Sequence, residues 1–60
     1  MINGGRTIHT ADGSSVTIRP SGVEYDLETR NARGETISTV VMSRDDVAAL
    51  LDEATEALTW

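Results

Sequence analysis

The stretch SRDDVAALLDEATEAL, Ser43 to Leu58, decides how this chain folds. Val47, Leu50, Leu51, Ala54 and Leu58 recur at i, i+3, i+4, i+7 and i+11, which at ~100° per residue gathers them into one apolar stripe of a helix. Ser43 stands where an N-cap accepts from free backbone N–H groups, and Asp46, three residues on, is placed to reach back as the carboxylate of a capping box. Asp45 and Asp46 also complement the positive end of the helix dipole. The expectation is a helix that buries its stripe and turns Asp45, Asp52, Glu53 and Glu56 outward.

Working back toward the N-terminus, three turn signals fall at nearly even intervals, the pattern of an antiparallel meander. Asp12-Gly13 supplies a positive-φ position, Pro20-Ser21-Gly22 places Pro ahead of Gly, and Asn31-Ala32-Arg33-Gly34 reads as a four-residue loop. The strands between them are expected at Arg6 to Ala11, Ser15 to Arg19, Val23 to Arg30 and Glu35 to Met42. In the third, Val23, Tyr25, Leu27 and Thr29 alternate with Glu24, Asp26, Glu28 and Arg30, so one face is apolar and the other wet. The fourth puts Ile37, Thr39 and Val41 on one face and Val40 and Met42 on the other, so alternation leaves its register open and both faces want cover. The fold class is therefore α+β: a four-stranded antiparallel meander with one C-terminal amphipathic helix packed on one face. Residues 6–60 form one small domain, and residues 1–5, with two glycines, a flexible tail.

Sixty residues with no Cys, no Phe, one Tyr, one Trp and one His leave little with which to close a core. A chain of this length buries only ~60% of the surface its unfolded form exposes. Disulfides and structural metal, the usual supports of small scaffolds, are not on offer, which leaves oligomerisation or docking on a partner. A spanning helix needs ~20 apolar residues, which no run here approaches. Met1 to Thr10 also lacks the basic, then apolar layout of a signal peptide. A soluble cytoplasmic protein without cofactors and without membrane contact is expected. All five basic residues are Arg and none is Lys, which suggests a GC-rich coding genome of bacterial or phage origin.

The formal net charge of −5 opposes broad attraction to nucleic acid or anionic lipid. On the helix, Asp52 and Glu56 stand at i, i+4 with no Lys or Arg spaced to neutralise them, a face either simply solvated or suited to a basic partner. Glu24, Asp26 and Glu28 form a second acidic row. With the helix acids, the row makes a DNA-mimic inhibitor the remote alternative, though three outward acids on a strand are ordinarily a wet face. Arg6, Arg19 and Arg44 fall near one end of the sheet, where three guanidiniums can hold an anion or nucleic-acid phosphate, or else pair with neighbouring acids. His9 has no second or third ligand at zinc spacing. No phosphate-cradling glycine motif occurs. Trp60, at the chain end, either folds back over the helix or projects as an interface anchor.

Four strands followed by one helix across Arg6 to Leu58, with the strand-to-helix passage of Glu35 to Leu58, is similar in layout to the single-stranded-DNA-binding coactivators, which pair as dimers through their helices. The resemblance implies a homodimer and a nucleic-acid-binding alternative. Single-strand binding needs a positive groove and exposed aromatics. This chain has no Lys, offers only Tyr25 and Trp60 for stacking and is acidic, so no site residues carry over. The expected function is a non-enzymatic protein-interaction module, a homodimeric regulatory or assembly protein. Its partner-binding residues are expected to be Asp52, Glu56, Val40, Met42 and Trp60, with a basic surface on any further partner.

Overall fold

The computed structural model describes residues 4–59. Four antiparallel strands, β1 (Arg6–His9), β2 (Ser15–Ser21), β3 (Glu24–Arg30) and β4 (Thr36–Met42), form one open sheet in chain order. Helix α1 (Arg44–Ala57) follows at once. The expected α+β meander is therefore the fold.

The two hairpin loops at one end of the sheet are built alike. In the first, Thr10 N donates to Ser14 O and Gly13 N to Thr10 O; in the second, Asn31 N donates to Glu35 O and Gly34 N to Asn31 O. Each loop thus spans three residues and ends on a glycine at positive φ, +86° at Gly13 and +85° at Gly34, the three-residue hairpin with a left-handed last position. Side chains complete both turns. Asp12 accepts from the Ser14 N–H, and Asn31 Oδ1 accepts from the N–H groups of Arg33 and Glu35.

At the opposite end the structure corrects the expected turn. β2 runs on through Pro20 to Ser21, and Ser21 pairs with Glu24 around a two-residue loop of Gly22 and Val23. Gly22 has φ +66° while among the described residues no non-glycine residue has positive φ, so the loop is of type II′, whose first central position needs glycine. Pro20 is tolerated because Arg6, the first residue of β1, pairs only as far as Ile18, so Pro20 lies past the edge where a missing N–H would cost a ladder bond. Val23, expected in the core row of the third strand, is instead 91% exposed at the turn tip. The first strand is also shorter than expected, since Thr10 and Ala11 belong to the loop.

Register sorts the sheet into two faces. On one lie the rows Arg6–Ile18–Leu27–Val40 and Ile8–Val16–Thr29–Ser38, with Pro20–Tyr25–Met42 beyond; on the other lie Thr7–Thr17–Glu28–Thr39 and Arg19–Asp26–Val41. A bulge between Thr29 and Arg30 takes up Ile37, because Thr29 opposes Ser38 while Arg30 opposes Thr36. Ile37 therefore leaves the row of Thr39 and Val41, to which strict alternation assigns it, and lines a hollow with Val16 and Thr29.

Ser43 caps α1 as expected: its side chain accepts from Asp46 N at 3.1 Å while Asp46 Oδ2 accepts from Ser43 N at 3.0 Å. The cap sets the helix on the apolar sheet face, where it meets β3 and β4. It does not bury its stripe. Among the described residues none is fully buried, and along α1 only Val47 is even half-buried. The contacts show why: among the described residues α1 packs on β3 and β4 and not on β1 and β2, whose apolar side chains it leaves uncovered. The radius of gyration, 12.4 Å, exceeds the about 10 Å of a packed chain of this length.

Candidate functional site

The incomplete cover leaves a groove between the helix and the β1–β2 side of the sheet. It is lined by Ile8, Val16, Ile18 and Leu27 below and Val47, Leu50 and Leu51 above, with Arg6 at one edge, and holds about 280 Å³. The lining is almost wholly hydrocarbon. Ile8 is 65% exposed, Leu51 64%, Val40 49% and Leu50 42%, and Leu58, at the helix end, is 86% exposed. A soluble monomer rarely leaves so much contiguous aliphatic surface in water. On the far side of Val47 and Leu51 a smaller hollow of about 250 Å³ is lined by Tyr25, Arg44 and Ala48. There an Arg44 Nη donates to the Tyr25 hydroxyl at 3.5 Å.

The opposite sheet face is largely polar, although Val41 lies on it 59% exposed. Glu28 sits at its centre with its side chain only 12% exposed, taking Arg19 at 3.4 Å and Arg30 at 3.3 Å. Thr36 Oγ1 adds a donor to the same carboxylate at 3.4 Å. The hydrogen bond from Arg30 is the main cause that holds the Glu28 carboxyl below its ordinary range; partial desolvation opposes it, and the charges of Arg30 and Arg19 reinforce it. Asp12 and Glu35 are lowered in the same sense, Asp12 first by the Thr10 hydroxyl and Glu35 first by the Asn31 amide, then by Arg33. All three carboxylates are held ionised at neutral pH.

This geometry disperses two of the expected sites. Arg6, Arg19 and Arg44 do lie toward one end of the sheet, but they are not one cluster: Arg19 points to the polar face and pairs with Glu28, whereas Arg6 and Arg44 are on the helix face. The parity of the register separates them, since Arg6 opposes Ile18 and not Arg19. The acidic row is likewise broken, because Glu28 is neutralised by two arginines. Arg30 and Arg33 pair with Glu28 and Glu35, the local pairing that surface arginines adopt.

Of the expected partner-binding residues, Val40 and Met42 both lie on the helix face, Val40 in the row of Arg6 and Leu27 and Met42 beside Tyr25. Asp52 and Glu56 are exposed, and among the described residues neither has an ion-pair partner. Helical geometry sets Glu56 opposite the stripe and Asp52 about 100° from Leu51, outside the groove. Trp60 and the first part of the expected tail, residues 1–3, lie outside the described residues. Sequence reasoning missed Arg6 and Ile8 as groove residues; the clue was the match of β1 to β2, which only pairing reveals. Among the described residues no group of three His, Asp or Glu side chains could hold a metal ion, and no helix is long and apolar enough to cross a membrane.

Comparison of the chain with known protein families, curated proteins and solved structures returns no match.

Proposed function

We propose that the protein is a non-enzymatic interaction module that works as a homodimer, with a regulatory or assembly role. The observation that carries this reading is the uncovered apolar groove. Burying a whole Leu or Ile side chain is worth about 1.5–3 kcal/mol, and Ile8, Leu50 and Leu51 of the groove keep between 42% and 65% of their surface in water. A second copy offers complementary apolar surface at equal concentration and closes both grooves at once about a two-fold axis. The perturbed carboxylates support a non-catalytic role: each is pushed down by its own hydrogen-bond partners, whereas a general acid or base is poised near the working pH. The nucleic-acid alternative loses support from the dispersal of Arg6, Arg19 and Arg44.

The test is urea unfolding across protein concentration. Stability of a dimer rises by about 1.4 kcal/mol for each tenfold increase in protein. A hundredfold range should therefore move the midpoint by on the order of 1 M urea. A midpoint independent of concentration contradicts the proposal.

A further inference from the structure

The groove and the free end of the helix fit each other. At ~30 Å³ for a heavy atom the size of water, the five side-chain carbons of Ala54 and Leu58 need about 150 Å³, which the 280 Å³ groove accommodates. The end of α1 carries Ala54 and Leu58 on the apolar stripe, both exposed.

Charge completes the match. Arg6 stands at the edge of the groove, and among the described residues it forms no ion pair, while Arg19, Arg30 and Arg33 are each paired. Beside the stripe, about 40° and 60° round the helix from Leu50, lie Asp46 and Glu53. Asp46 is held by the capping box, which leaves Glu53 as the acid next to the uncovered half. Two chains of net charge −5 also repel, and opposite charges set against each other at the seam offset that repulsion and fix orientation.

We infer that in the homodimer, on which this inference rests, the last turns of one helix seat Ala54 and Leu58 in the groove of the second copy and set Glu53 against that copy's Arg6. The exchange is reciprocal, so each dimer holds two such contacts.

Charge exchange tests it. Arg6→Glu and Glu53→Arg are prepared separately, circular dichroism confirms that each keeps the wild-type spectrum, and association is followed by sedimentation velocity. Both positions are exposed, so the fold should tolerate the changes. Each variant alone should associate at least about tenfold more weakly than wild type, since it faces like charges twice. An equal mixture of the two restores opposite charges at both contacts and should recover association, as should the double variant. Singles that associate like wild type, or a mixture no stronger than its components while wild type dimerises, overturn this seat and leave the homodimer standing. A monomeric wild type overturns both.

Discussion

Leu51→Ala separates folding from association at one side chain. Leu51 lines the groove and is 64% exposed in the single chain, so its folding contribution comes from only about a third of its surface. At about 1.5–3 kcal/mol for complete burial, truncation should cost about 0.5–1 kcal/mol of folding within one chain. Alanine is the best helix former and adds no propensity penalty. The remaining two thirds, about 1–2 kcal/mol, is realised only when a second copy covers it, and a two-fold interface contains the residue twice. The loss on association is then about 2–4 kcal/mol, or a Kd raised by roughly 30- to 1000-fold. Dilution followed by size-exclusion chromatography with light scattering reads it directly. Val23→Ala is the control, because Val23 is equally aliphatic and 91% exposed but lies at the β2–β3 turn tip, away from the groove. An association constant for Leu51→Ala within threefold of wild type, or an equal loss in Val23→Ala, would show that no second copy covers Leu51.

Other consequences follow from the same geometry. Ser43→Ala removes the acceptor for Asp46 N and half of the capping box, so stability should fall by about 1 kcal/mol, read as a melting temperature lower by roughly 4–8 °C; an unchanged melting temperature would mean that the cap contributes nothing. Gly34→Ala meets no atom within 4 Å but must hold φ +85°, at a cost of about 1–2 kcal/mol. Gly34→Asn should recover part of that loss in urea titrations, and equal losses would point away from backbone strain. Because the Glu28 carboxyl is held below its ordinary 4.5, the folded chain binds that proton more weakly than the unfolded one. Its contribution is present above pH 4.5 and disappears as pH falls through the folded value. Glu28→Gln should thus lower the urea midpoint at pH 7 and flatten its decline in acid, whereas parallel declines in variant and wild type would count against the Arg19–Glu28–Arg30 cluster.

Features written in local chemistry are legible in the sequence alone. The capping box of Ser43 and Asp46 and the glycines of the two long hairpin loops act within a few residues of themselves, and each is found where its residue type predicts. Features that depend on pairing are not. Val23 reads as a core residue because it alternates with Tyr25 and Leu27, but a type II′ turn claims it once Gly22 supplies positive φ at the first central position. Ile37 keeps step with Thr39 and Val41 until a bulge shifts the strand by one residue. Arg6, Arg19 and Arg44 share an end of the sheet, yet a period of two makes the face depend on register, and register is set across strands. The apolar stripe is legible as a stripe, but its exposure is not: nothing local to Val47–Leu58 says how much sheet lies beneath it.

Sedimentation equilibrium of the wild-type chain at micromolar concentration bears most directly on the uncovered groove. A second copy closing it gives a mass twice the 6.5 kDa of one chain, reverting toward the single-chain value on dilution. A mass that stays at 6.5 kDa throughout, with cooperative unfolding, would show that the chain is stable with its groove open and would contradict the homodimer.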